Sequence, residues 1–93
     1  MSYLMLRGEV SDFDNWKRDF DADPVGRIQA AKGHRLYRGV ENLNEVIIQV
    51  EFASAQQASS FREQLLNSRV LERLGPKLPA PPIVVEEADA VSY

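Results

Sequence analysis

Four segments of the chain have the pattern of strands, and in the first and third of them apolar and polar residues alternate as in strands that bury one face. The segments are residues 3–10, 34–40, 45–52 and 83–87. The third is the clearest, because Val46, Ile48, Val50 and Phe52 all fall on one face. A short polar connection, residues 41–44, predicts that the second and third strands form a hairpin.

The segment after the first strand has the apolar spacing of an amphipathic helix. Phe13, Trp16 and Phe20 recur at positions i, i+3 and i+7, and Ser11 is a suitable N-cap in front of them. The pair Asp23-Pro24 interrupts this pattern, since proline disfavours a continuing helix.

A short second helix is expected from this break to about Ala31. Asp23 is predicted as its N-cap, with Pro24 at the first helical position. Ile28 and Ala31 are expected to be buried, and Gly33 to end the helix.

The remaining helical signals lie between the third and fourth strands. Ser54 and Gln57 form a capping pair for a helix whose apolar stripe is Ala55, Ala58, Phe61 and Leu65. A shorter helical piece near residues 70–74 and an extended proline-rich connector over residues 75–82 are expected to follow.

The resulting order, β-α-β-β-α-β, predicts one ferredoxin-like α+β domain over residues 1–93. Right-handed crossovers give an antiparallel sheet of order 4-1-3-2, with both helices on one face. The other face would carry Met5, Ile47 and Tyr37 without a helix to cover them, which favours a homodimer that forms an α/β barrel. The alternative is a monomer with one solvated sheet face.

Composition narrows the possible partners. The chain has 93 residues, 44% of them hydrophobic and 27% charged, with a net charge of −3. The pI of about 5.1 argues against nucleic acid, and no apolar run has the length of a membrane span. The N-terminal residues do not resemble a signal peptide, so a cytoplasmic protein is expected. The absence of cysteine excludes thiolate chemistry and suits a bacterial cytosol.

Candidate ligand-binding residues come mainly from the uncovered face. Arginine could bind an anionic or phenolate oxygen there, and tyrosine and glutamine could add hydrogen bonds. Trp16 is either a core anchor or the wall of a pocket between its helix and the sheet. The candidates are Tyr3, Arg7, Trp16, Arg35, Tyr37, Gln49 and Glu51. The charged residues of this face could instead form ion pairs at a dimer interface.

Candidate proton-transfer groups are few. His34, the single histidine, could act as a base near neutral pH or have only a structural role. Glu9 and Glu51 would need raised pKa values to serve instead. No metal site is expected, because one histidine leaves only carboxylates as its partner ligands, and no bound cofactor is expected.

Several segments resemble antibiotic-biosynthesis-monooxygenase-like domains. They are Glu9–Lys17, Leu36–Arg38, Glu41–Val46, Glu51–Ser54 and Pro81–Ile83. The resemblance covers nearly the whole chain and implies the dimeric α/β-barrel fold, but its motifs are structural rather than catalytic. Haem-degrading members have an asparagine on the first strand, and a tryptophan and a histidine in the later helical region. This chain has Met5 and Arg7 on that strand and neither residue type over 54–75.

Two functions follow as expectations. The resemblance implies a cofactor-independent monooxygenase or cyclase-like enzyme acting on small aromatic substrates. The mixed polar and apolar face is equally compatible with a non-catalytic homodimer that binds a small apolar molecule. No catalytic residue is assigned from either expectation.

Overall fold

The computed structural model describes residues 1–69 and 81–93, which contain four strands and three helices. The elements are β1 (Ser2–Glu9), α1 (Phe13–Asp21), α2 (Arg27–Ala30), β2 (Gly33–Arg38), β3 (Glu45–Phe52), α3 (Ala55–Ser68) and β4 (Ile83–Glu86). The helical piece expected near residues 70–74 and most of the expected connector lie outside the described residues. No helix in the described ranges is long and apolar enough to cross a membrane.

The four strands form one antiparallel sheet of order β2-β3-β1-β4. This arrangement confirms the predicted ferredoxin-like α+β fold and its 4-1-3-2 order. The register places Leu4 opposite Val50 and Leu6 opposite Ile48 on the face that the helices cover. Directly paired residues of antiparallel strands point to the same face, so this register also fixes the composition of the other face.

The hydrophobic core lies between the sheet and the helices. Twelve apolar side chains form it: Leu4, Leu6, Val10, Trp16, Phe20, Val46, Ile48, Val50, Phe52, Ala58, Phe61 and Leu65. Phe52 and Phe61 bring β3 and α3 together, with ring centroids 5.5 Å apart. All of the core members on β1 and β3 come from the alternating pattern that predicted these strands.

Helix α1 begins one residue later than the sequence suggested. Asp12, not Ser11, is the N-cap, and its carboxylate accepts a hydrogen bond of 3.0 Å from the backbone N–H of Asn15. The side chain of Asn44 accepts a further hydrogen bond from the N–H of Phe13, which ties the helix start to the β2–β3 hairpin. The expected cap was wrong because two adjacent residues of the sequence are both suitable for the position.

Helix α2 differs more from the prediction. It covers only Arg27–Ala30 and follows a left-handed Gly26, so Pro24 is not at its first position. Its N-cap is Gly26 and not Asp23 as expected, although the carboxylate of Asp23 accepts hydrogen bonds from the N–H groups of Arg27 and Ile28. Ile28 is 68% exposed rather than buried, and Arg27 is the buried residue of this one-turn helix. Gly33 does not end the helix but begins β2.

Helix α3 begins as predicted. The hydroxyl of Ser54 accepts a hydrogen bond from the N–H of Gln57, and Ala58, Phe61 and Leu65 are buried. The guanidinium of Arg62 donates a 2.6 Å hydrogen bond to the carbonyl of Pro82, just before β4. Helix α3 therefore holds the start of the last strand against the sheet.

Candidate ligand-binding groove on the open sheet face

No helix within residues 1–69 and 81–93 covers the second face of the sheet. Its apolar members are Tyr3, Met5, Tyr37, Ile47, Ile83 and Val85, as the pairing register requires. Tyr37 is 47% exposed and Ile83 54% exposed, while the others are half-buried by their neighbours on the sheet. This surface is hereafter called the open face.

A groove of about 420 Å³ lies at one end of the open face. Its lining residues are Tyr3, Gly33, His34, Arg35, Tyr37, Gln49, Glu51 and Glu87. Gly33 pairs with Glu51, which pairs in turn with Tyr3 on β1. Because Gly33 has no side chain, the row of residues across the sheet leaves a depression at the β2 edge.

Five of the seven candidate ligand residues line this groove: Tyr3, Arg35, Tyr37, Gln49 and Glu51. Arg35 lies directly across from Gln49, and it forms no ion pair with any described residue. Its guanidinium can therefore offer donors to a bound oxygen, since it has no carboxylate partner of its own there. Two phenol rings and one amide surround that charge.

Arg7 lies on the same face but does not line the groove. Its guanidinium donates to the carboxylate of Glu45, with the closest contact at 2.9 Å. Glu9 accepts a hydrogen bond from the side-chain amide of Asn42. Arg7 and Glu9 are thus paired with residues of the hairpin region, whereas Arg35 and Glu51 line the groove.

Trp16 is on the opposite side of the sheet. It is 3% exposed within the helix-side core, and its ring stacks on Phe20 with centroids 5.1 Å apart. Its indole N–H is buried without a hydrogen-bond partner among the described residues. The structure therefore does not bring Trp16 together with the residues of the groove.

His34 lines the groove, yet its ring contacts the helix side. It pairs with Val50, a core residue, and meets the ring of Phe20 edge to face at 5.1 Å. Burial lowers the pKa of His34 below its ordinary value, and the positive charges of Arg27 and Lys17 lower it further. The imidazole is consequently neutral at neutral pH, which is the form that can accept a proton.

Two groove residues were missed by the sequence analysis. Gly33 was expected to end a helix, and only the observed start of β2 shows that its missing side chain opens the groove. Glu87 was expected as the last residue of the fourth strand and not as a ligand residue, and it lies just after the observed end of β4. No group of three potential metal ligands is close together within residues 1–69 and 81–93.

The chain has the fold of antibiotic-biosynthesis-monooxygenase-like proteins. A protein of Bordetella bronchiseptica named as a candidate antibiotic biosynthesis monooxygenase superposes with a TM-score of 0.70 at 15% identity, with 97% of each chain covered. One of Nitrosomonas europaea with the same designation gives 0.55 at 11% identity, covering 96% of this chain and 100% of its own.

A third solved structure, Rv0793 of Mycobacterium tuberculosis, gives a TM-score of 0.57 at 16% identity and covers 98% of both chains. No protein-family model matches the sequence, and no curated protein sequence matches it significantly. At these identities the likeness concerns the fold and does not identify a reaction or a substrate.

Proposed function

We propose that the chain acts as a cytoplasmic homodimer that binds a small aromatic molecule bearing an anionic or phenolic oxygen. The observation that carries the proposal is the groove, in which Arg35, without an ion-pair partner among the described residues, is surrounded by Tyr3, Tyr37 and Gln49. The arginine would neutralise the oxygen, and the phenol rings would contact the flat part of the ligand.

A homodimer would complete the same ligand-binding groove. Two open faces packed together would remove the exposed Tyr37 and Ile83 from water and would enclose the groove. Enclosure matters because an arginine–oxyanion contact becomes stronger once water is excluded from it. A ligand held between two sheets would also gain the apolar contact area that a one-sided groove does not provide.

The test uses alizarin, a polycyclic phenol whose visible absorption changes when the phenol ionises. The wild-type protein is expected to bind it saturably and to shift its spectrum toward the phenolate. Arg35→Gln should weaken binding by about tenfold or more, because a charge-assisted hydrogen bond contributes about 1.5–3 kcal/mol. Arg7→Gln is the matched control, since Arg7 is occupied by Glu45 outside the groove. Equal losses in both variants, or no binding by the wild type, would refute the proposal.

A second candidate is a cofactor-independent monooxygenase reaction on the same ligand. The observation that favours it is the presence in the groove lining of His34, whose imidazole is neutral at neutral pH. His34 would remove a proton from the substrate, and the resulting anion would transfer electrons to molecular oxygen. A CH₂ group would become a carbonyl, with the second oxygen atom leaving as water. Oxygen uptake that depends on protein and substrate would support catalysis, whereas saturable binding without uptake would leave the binding function alone.

A further inference from the structure

A second cavity lies on the helix side of the sheet, between α2 and the start of β2. It has a volume of about 140 Å³, and its lining residues are Arg27, Ile28, Ala31, Lys32, Gly33 and His34. The volume corresponds to roughly four water molecules at about 30 Å³ each. Gly33 and His34 separate this cavity from the groove on the open face, since they line both.

The most unusual residue of this cavity is Arg27, a guanidinium that is only 8% exposed. One of its nitrogens donates to the carbonyl of Phe20 at 3.3 Å, and its central carbon lies 3.8 Å from the centre of the Phe20 ring. Its Nε is buried without a hydrogen-bond partner among the described residues. A buried charge with an unused donor is costly unless a partner of opposite charge is present.

Asp23 satisfies this charge only in part. The nearest distance between its carboxylate and the guanidinium is 4.0 Å, and both carboxylate oxygens already accept backbone N–H groups at the start of α2. Burial lowers the pKa of Arg27, and the negative charges of Asp23 and Asp21 oppose that effect without removing it. The cavity lining itself contains Arg27 and Lys32 but no carboxylate.

We propose that this cavity binds a small organic carboxylate. The carboxylate would lie on Arg27, whose planar donors suit two acceptor oxygens, while Lys32 adds a second positive charge. The apolar part of the ligand would contact Ile28 and Ala31. Ile28 is a large apolar residue that is exposed at the cavity wall, and a bound ligand would cover it from water.

The single histidine of the chain allows a direct test by NMR. The imidazole signal of His34 is followed while sodium propionate or isobutyrate is added at constant ionic strength. A saturable shift is expected, together with a rise in the pKa of His34, because the bound anion favours the imidazolium. Other charges that act on His34 are Arg27, Lys17, Asp21 and Asp23, and they are present in both states.

Two variants and one control separate binding from folding. Ala31→Leu fills the cavity but keeps Arg27, and it should weaken propionate binding by about tenfold or more, as should Arg27→Gln if it folds. Arg18→Gln removes one positive charge from the exposed surface of α1 and should leave the affinity unchanged. Because the probe is propionate and not alizarin, failure here is distinguishable from failure of the groove.

Three results would overturn the proposal. The first is the absence of any saturable shift of the His34 signal with propionate or isobutyrate. The second is an equal shift with chloride or inorganic phosphate, which would indicate screening or a site for anions in general. The third is unchanged propionate affinity in Ala31→Leu.

Discussion

At the residue scale, Phe20 connects the unusual side chains of the helix side. Trp16 stacks on it, His34 meets it edge to face, and Arg27 lies over its ring. The apolar spacing of α1 predicted that Phe20 and Trp16 would be buried, because helical periodicity places them on one face. It could not predict Arg27 beside them, since the burial of a charged residue depends on the path of the chain after the helix and not on a local pattern.

A first prediction concerns the pH dependence contributed by His34. Its pKa is lowered in the folded protein from the ordinary 6.5, so the unfolded chain binds more protons between the two values. The free energy of unfolding should therefore decrease as the pH falls below about 6.5, and His34 should contribute nothing to this change at higher pH. The contribution is small, because the histidine is largely exposed.

His34→Gln provides the comparison for urea unfolding at several pH values. The variant should lack the part of the slope that belongs to the histidine below about pH 6.5, because the chain has no other histidine to titrate. Identical slopes in the two proteins would mean that the folded and unfolded pKa values of His34 do not differ.

At the scale of single elements, the strands and helices with the longest regular pattern of apolar residues were predicted best. β3 was predicted with its observed bounds because eight residues alternate without interruption, and α3 was predicted because its cap and its apolar stripe agree. α2 is one turn long, so four residues supply little periodic pattern. The position of α2 is set instead by the positive φ angles of Asp23 and Gly26. A positive φ is common for glycine, but the residue type of Asp23 does not reveal one.

The cap of α3 gives a second prediction. Ser54→Ala removes the acceptor for the N–H of Gln57 and should lower the free energy of unfolding by about 1 kcal/mol. Ser59→Ala is the matched control, because this exposed serine is within the same helix and alanine is the better helix former. Chemical denaturation of both variants tests the difference, and equal stabilities would contradict a capping role for Ser54.

The β2–β3 hairpin gives a third prediction, based on two glycines. A Cβ atom at Gly39 would overlap the carbonyl oxygen of Asn42, which accepts the N–H of Glu45 within the turn. Gly39→Ala should therefore cost about 1–3 kcal/mol, as overpacking generally does. At Gly33 the same atom would meet nothing within 4 Å, so Gly33→Ala should change stability much less. Thermal unfolding of the pair measures the contrast, and similar losses would argue against the overlap.

At the scale of the whole molecule, the sequence predicted which face the helices cover and therefore which face stays open. The order of strands follows from connection rules that apply to every β-α-β unit, and the alternating pattern then assigns each residue to a face. The groove could not be predicted in the same way. It depends on Gly33 lying within β2 opposite Glu51, and a shift by one residue would have placed a side chain there.

The open face leads to the fourth prediction, which concerns assembly. Ile47 lies near the centre of this face, between Tyr37 and Arg7 in the paired register. In a single chain Ile47→Glu would place a carboxylate at a partly solvated position and should leave the fold intact. Between two packed sheets the same carboxylate would be buried without a partner, which costs several kcal/mol and should give a monomer.

Val40→Glu is the control, because Val40 lies outside the sheet and is 93% exposed. Light scattering after size exclusion should give a dimer mass for the wild type and for Val40→Glu, and a single-chain mass for Ile47→Glu with an unchanged circular dichroism spectrum. A wild-type protein of single-chain mass at micromolar concentration would contradict the dimer, and it would leave the groove as a one-sided site open to water.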